Sequence, residues 1–235
     1  MPRLDALDWV ITAMVGSASI AMQVADPLDE PRWNSEFSID EGARDWFKAG
    51  PTGRQHANLT SHFLVGGAIA ASSGVALFGR DDPADGMTLF MVHLQAMAST
   101  SFLTQVSKRS FGRTRPLYAD GRRETRPDAH ASFWSGHAAL SFSAASSGCT
   151  LQVREALFDP WATPWLCGGL FGMAAGAGAL RIVADKHYLS DVIVGAVMGT
   201  TVGYAITGLR AWDGPVQVAP AMLPSGSGLM LTGEF

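Results

Sequence analysis

Three short stretches of the chain carry charged, hydroxyl and imidazole side chains at a spacing that suits phosphate chemistry: Lys108-x6-Arg115-Pro116, Ser135-Gly136-His137 and Arg181-x5-His187-x3-Asp191. Phosphoryl transfer spreads negative charge over the equatorial oxygens, so catalysis is mainly positioning and electrostatic stabilisation. Arg115 and Arg181 each offer a planar fork to phosphate oxygens, and Lys108 adds a point charge. Ser135 supplies a hydroxyl, and Gly136 a backbone N–H that a ligand can approach closely. His187 precedes Asp191 by four residues, which on a helix places both on one face. A carboxylate bonded to one ring nitrogen would orient the other for attack. His137 would then protonate the leaving oxygen and later activate water.

The elements that must position these residues are apolar. Six stretches contain no Asp, Glu, Lys or Arg: 9–25, 55–79, 86–107, 129–153, 160–180 and 192–209. A membrane span needs roughly 20 mostly apolar residues. The interiors are rich in small residues, as at Gly66-Gly67, Gly168-Gly169 and 174–179, which lets helices approach closely. The expected fold is therefore all-α, a six-helix bundle that spans a membrane. Stretch 129–153 carries Ser132, Ser135, Ser141, Ser143, Ser146 and Ser147, and suits a helix that faces protein rather than lipid. Lys108 follows the third stretch, Ser135 and His137 open the fourth, Arg181 closes the fifth, and His187 and Asp191 precede the sixth. In a chain that crosses six times, the first, third and fifth connections share one side. All three motifs then fall at one end of the bundle, in a membrane or in a soluble up-down bundle alike.

Composition supports the membrane reading. Hydrophobic residues make up 47% and charged residues 16% of 235 residues, below the roughly 25% charged of an ordinary soluble domain. Mean hydropathy is +0.14. A net charge of −4 argues against nucleic acid, which calls for a basic face. Cys149 and Cys167 both lie in apolar stretches and read as buried free thiols, which leaves the redox compartment open. The first residues do not read as a signal peptide, since Arg3 is followed by Asp5 and Asp8 and no small-residue cleavage site closes the apolar run.

The region 26–54 should form a loop with a short amphipathic helix around Ile39–Phe47, whose Trp33, Phe37, Trp46 and Phe47 suit a membrane interface or packing against the bundle. The domain of interest spans 1–212. After it, 213–235 reads as strand, turn and strand, a short hairpin-like tail that would have to dock on the bundle.

The three motifs resemble those of the type-2 phosphatidic acid phosphatase superfamily, which also includes the vanadium haloperoxidases. The resemblance covers about 108–195 by motif. It implies a phosphohistidine on His187 oriented by Asp191, and His137 as general acid. It further implies that Lys108, Arg115, Ser135, Gly136 and Arg181 bind phosphate, and that the reaction needs neither metal nor cofactor. Two positions depart from the pattern: Trp134 stands where proline commonly precedes Ser-Gly-His, and Leu180 where serine commonly precedes the arginine. Trp134 would alter the wall of the site more than its reaction.

The remaining polar residues read more plainly. His56, His62, His93 and His130 fit no motif, and His62 and His93 read as hydrogen-bonded interior residues. Arg109, Arg113, Arg122, Arg123 and Arg126 read as solvated, or as a collar for anionic head groups; Asp185 and Lys186 read as caps of a turn. The leading function is hydrolysis of a lipid-linked or amphiphilic phosphate ester or diphosphate, with membrane lipids as the other partner. Competing readings are a soluble acid phosphatase, a vanadate-dependent haloperoxidase and a non-catalytic anion-binding membrane protein. The motif-side connections hold 13 of the 17 Lys and Arg residues, which by the positive-inside rule favours the cytoplasm. The resemblance implies instead a bacterial-type inner membrane and an extracytoplasmic site.

Overall fold

The computed structural model describes residues 4, 6–25, 30–34, 36–119 and 128–210, together with the backbone of 216–223 and 226–233. The described residues form eight α-helices rather than six: α1 (Ala6–Val24), α2 (Ser38–Phe47), α3 (Pro51–Phe78), α4 (Pro83–Phe111), α5 (Pro116–Ala119), α6 (Gly136–Glu155), α7 (Thr163–Val183) and α8 (Leu189–Arg210). The six longest coincide with the six uncharged stretches. The additions are α2, which falls on the expected amphipathic segment, and the single turn α5, which follows Arg115 where Pro116 supplies a pre-set φ at the first helical position. A one-turn 3-10 helix, Pro160–Ala162, leads into α7. Beyond the bundle, β1 (Val216–Leu223) and β2 (Gly226–Gly233) pair antiparallel, with Val216 opposite Gly233.

Local sequence explains the helix ends. Asp82 accepts from the Ala84 N–H and Pro83 occupies the first turn of α4, while Gly112 closes that helix at φ 53°, a left-handed position that favours glycine. Ser135 is the N-cap of α6, its hydroxyl accepting from the Ala138 N–H. The middle motif thus starts a helix, and Gly136 and His137 are its first two residues.

Helix α6 is the hub of the bundle, packed against α3, α4, α7 and α8. Ala138, Ala139, Ala144, Ala145 and Leu151 are wholly buried on it, and its serines turn inward, Ser143 accepting a hydrogen bond from Thr100 at 2.9 Å. Its closest neighbour is α8, whose Gly195, Gly199 and Gly203 recur every four residues against the α6 backbone. A β-carbon on Gly199 would lie 2.0 Å from the Ala139 carbonyl oxygen, so only glycine permits this approach. The contact brings the N-termini of α6 and α8 together, with the Ser135 N–H donating to the Asp191 carbonyl at 3.0 Å.

Four helical segments are long and apolar enough to cross a membrane: α1, α3, Pro160–Val183 and α8. They present large apolar side chains outward, including Met14, Phe63, Trp165 and Val197. α4 and α6 fall outside that set because their polar residues face the interior of the bundle. His93 on α4 shows why: it is buried between Ser147 on α6, at 3.0 Å, and Ser72 on α3, at 3.3 Å. Near the end of α6 away from the motifs, Cys149 is joined to Cys167 of α7 by a disulfide, with Cα atoms 5.3 Å apart. The free-thiol expectation is thereby overturned: both cysteines sit in apolar helices, but the tight α6–α7 packing sets them face to face.

Candidate active site

His187 lies in the turn between α7 and α8, and its side chain is 2% exposed. Its Nδ1 is 2.8 Å from the carbonyl oxygen of Ser132. A carbonyl only accepts, so the ring proton sits on Nδ1 and Nε2 keeps its lone pair. Arg115 Nη1 lies 3.3 Å from that Nε2. Burial, followed by the positive charges of Arg115, Arg181 and Lys108, holds the imidazole pKa well below its usual value, with the Ser132 carbonyl acting the other way. The ring is therefore neutral, and its Nε2 lone pair accepts from Arg115 at the edge of a cationic site.

Asp191 is completely buried, but its carboxylate is 3.7 Å from His187 Nδ1, beyond a hydrogen bond. The expected direct Asp–His bond is thus not made. Because His187 precedes the first residue of α8, the pair does not share the helical register that a four-residue spacing suggests. Ser132 stands between them: its carbonyl accepts from His187, and its hydroxyl donates to Asp191 Oδ2 at 2.6 Å. The Tyr188 N–H and Arg113 Nη1 also donate to Asp191, at 3.0 and 2.7 Å.

Arg113 corrects a second expectation. Far from being solvated, it is 1% exposed, with one amino group on Asp191 and the other on Asp40 of α2 at 2.7 Å. Its guanidinium carbon is 4.1 Å from the Tyr188 ring centroid and 4.4 Å from that of Trp33. Trp33 is held there by main-chain bonds, the Arg32 N–H to the Gly112 carbonyl and the Thr114 N–H to the Trp33 carbonyl. Trp46 and Phe47, by contrast, are among the exposed residues at the end of α2. Arg109 donates to the carbonyls of Met22 and Ala25 on the α1 side. Arg122, Arg123 and Arg126 lie outside the described residues. Asp185 is more than a turn cap: it is 1% exposed and pairs with Arg44 at 2.8 Å and Arg54 at 3.4 Å, which ties α2 and α3 to the α7–α8 turn.

The three cations of the motifs converge beside His187. Arg115 is buried and anchored by Nε to the Asp128 carbonyl at 2.8 Å and by Nη2 to the Asp128 carboxylate at 3.1 Å. Burial lowers the Arg115 pKa, against the pull of Asp128 and Asp191. Burial alone would raise the Asp128 pKa, yet Arg115 and Lys186 hold it below the usual carboxylate range. Arg181, at the last turn of α7, donates to Asn58 Oδ1 at 2.7 Å and to Ser61 Oγ at 3.2 Å, both on α3. Its Nε is buried without a hydrogen-bond partner among the described residues. Lys108 Nζ lies 3.5 Å from the place a β-carbon on Gly136 would occupy, so the ammonium hangs over the start of α6. Three neighbouring cations with an unsatisfied buried donor can hold a multivalent anion.

His137 is half-buried and turns its Nε2 to Nδ1 of His62 on α3, 3.0 Å away. His62 is exposed, not interior as expected. Motif spacing thus locates all eight candidate residues at one end of the bundle but misses Ser132, Arg113, Asp40, Asn58, Ser61 and His62. Of these, Arg113 stood out two residues before Arg115 in a basic loop, Ser132 in the polar stretch 129–153 and His62 as a histidine outside the motifs, while Asp40, Asn58 and Ser61 carried no signal.

A helical bundle with a cationic, histidine-bearing end defines the class, and sequence comparison gives the family. The PAP2 superfamily model matches residues 89–214, more than half of the chain, and the chain belongs to that superfamily. No curated protein matches it by sequence. Among solved structures, a transmembrane PAP2-type phosphatidylglycerolphosphate phosphatase from Bacillus subtilis is similar at 18% identity and TM-score 0.55, over 86% of this chain and 92% of that one. LpxE from Aquifex aeolicus is similar at 19% identity and TM-score 0.53, over 74% and 97%. A bacterial vanadium-dependent iodoperoxidase aligns at 15% identity and TM-score 0.46, over 89% and 51%.

Proposed function

We propose that the protein is a membrane phosphatase that hydrolyses a lipid-linked or amphiphilic phosphate ester or diphosphate through a phosphohistidine, without a metal ion. The observation that carries this reading is the Ser132–His187 bond, which leaves Nε2 unprotonated, accepting only from Arg115, beside three cations. Lys108, Arg115 and Arg181, with the Ser135 and Gly136 end of α6, hold the phosphoryl oxygens; the start of a helix favours negative charge. His187 Nε2 attacks phosphorus, the bond to the ester oxygen breaks, and His137 protonates that oxygen. In the second half a water attacks the phosphohistidine, gives its proton to His137, and the P–N bond breaks to release phosphate and restore the imidazole. Asp191 acts through Ser132 and Arg113, which fix the backbone and carboxylate around the nucleophile.

The apolar outer faces of α1, α3, α7 and α8 support an amphiphilic substrate that reaches the site from the bilayer. The proteins similar in fold are named for a phosphatidylglycerolphosphate phosphatase and for LpxE, which favours a lipid phosphate. We place the protein in a bacterial-type inner membrane with the site outside the cytoplasm. The disulfide supports exposure of part of the bundle to an oxidising compartment. The excess of basic residues around the site is inflated by the three that serve phosphate.

Phosphate release from a panel of lipid and soluble phosphates, with EDTA present, tests the reading on wild type and on His187→Ala. Release that survives EDTA and vanishes in the variant is expected. Equal release from both proteins would overturn the role of His187.

A further inference from the structure

We infer that His62 is the proton-relay partner of His137, passing protons between the general acid and solvent. This rests on the phosphatase reading above. The two rings meet edge to face, centroids 4.5 Å apart at 66°, with the Nε2–Nδ1 contact of 3.0 Å making a single shared hydrogen bond. His137 is half-buried at the start of α6, whereas His62 is exposed on α3. The pair thus links the interior of the site to its rim.

The placement of His62 is built rather than incidental. On the same helix, Asn58 one turn earlier and the adjacent Ser61 accept hydrogen bonds from Arg181, which pins this part of α3 to the phosphate end of α7. His62 therefore faces His137 from one side and the Arg181 charge from another. Its neighbours Leu59 and Phe63 are exposed apolar residues, so His62 is the polar group where an apolar helix face meets the site.

Imidazole moves a proton by taking it at one nitrogen and releasing it from the other. In the first half-reaction, the P–O bond to the leaving group breaks and the leaving oxygen takes a proton from His137. As His137 gives that proton from Nδ1 it takes another at Nε2 from His62 Nδ1 in the same step, and His62 draws its proton from water. In the second half-reaction, the proton released by the attacking water returns along the same route. The sum is ester plus water giving alcohol plus phosphate, with no other reactant.

The test uses the full-length protein in detergent or vesicles and reads kcat/KM, which reports steps through the first irreversible one. Two substrates are compared: an alkyl phosphate monoester, whose leaving oxygen needs a proton, and p-nitrophenyl phosphate, whose delocalised phenolate leaves without one. General acid–base groups contribute about 10²–10⁴-fold, so His62→Ala is expected to lose at least about tenfold on the alkyl ester. Its loss on the nitrophenyl ester should be much smaller. His62→Gln, which keeps a hydrogen-bonding group but carries no titratable proton, should show the same selective loss, and added imidazole should restore part of the rate of His62→Ala. Equal losses on both substrates, no loss on either, or full activity of His62→Gln would overturn the relay while leaving the phosphatase reading intact. Wild type inactive on both substrates would instead remove the phosphatase reading, and the relay with it.

Discussion

Arg113 and Asp191 form an ion pair of 2.7 Å in which the side chains are 1% and 0% exposed. The same guanidinium reaches Asp40, so one cation serves two buried carboxylates, one on α2 and one behind His187. Ser190 completes the unit, its N–H and hydroxyl donating to Asp40 at 2.8 and 2.7 Å. A loop residue from the spacer of the first motif therefore holds the amphipathic helix α2 to the site.

Removing one partner of a buried pair strands the other charge and costs about 3–5 kcal/mol. Arg113→Ala leaves Asp40 and Asp191 both uncompensated and is expected to lose at least that much stability. Arg113→Lys keeps the charge but loses the two-pronged geometry and the stacking on Trp33 and Tyr188, so it should recover only part. Thermal unfolding in a fixed detergent, with activity measured below the transition, checks both. A melting point for Arg113→Ala equal to wild type would contradict the buried network.

Because Ser132 rather than Asp191 takes the His187 proton, the ring should hold its tautomer when the carboxylate is neutralised. Asp191→Asn is expected to reduce phosphate release, whereas His187→Ala abolishes it. Ser132→Ala keeps the main-chain carbonyl and loses only the hydroxyl on Asp191, and should likewise remain partly active. Loss in Asp191→Asn as complete as in His187→Ala would place the carboxylate directly on the ring during turnover.

The lowered pKa of His187 has a defined consequence for stability. An unfolded histidine takes up a proton near pH 6.5, while the folded one resists it. Folding stability from this group is therefore intact above about pH 6.5 and is lost as pH falls toward the lower folded pKa. His187→Gln should weaken that acid destabilisation, measured as the change in melting point between neutral and mildly acidic buffer. As the proposed nucleophile, His187 should also impose no acid limb on kcat/KM near pH 6.5, since its Nε2 is already unprotonated there.

The Cys149–Cys167 bond closes a short loop at the end of the bundle away from the motifs. A disulfide across a loop of about 15 residues contributes roughly 3 kcal/mol. Cys149→Ser with Cys167→Ser is expected to lower thermal stability by about that amount and to leave kcat/KM unchanged below the transition. A selective loss of activity in the still-folded variant would show that α6–α7 spacing at the far end is felt at the site.

The motifs and the uncharged stretches were legible because both rest on local rules. A span of uncharged small residues long enough for a membrane has to be a helix, and alternating crossings put 108–115, 135–137 and 181–191 at one end. Serines at 141, 143, 146 and 147 likewise marked α6 as the inner helix, and it is buried on most sides. The reading failed where one turn was assumed to continue: the four-residue spacing of His187 and Asp191 implies a contact only inside a helix, and α8 begins two residues after His187.

What the sequence determined by itself was the chemistry available and the end of the bundle where it gathers, since residue type and helical length suffice for both. Tertiary structure decided which groups meet. Arg113 finds Asp40 across 73 positions, His137 finds His62 across 75, and Arg181 finds Asn58 across 123. Those pairings are built on a bundle whose close contact of α8 with α6 is set by the bare backbone at Gly195, Gly199 and Gly203. They also depend on the rotation of α3 about its own axis, which turns Asn58, Ser61 and His62 to the site and Phe63 outward. The glycine repeat lies within one segment, but neither the helix it packs on nor the rotation of α3 is encoded in any one segment.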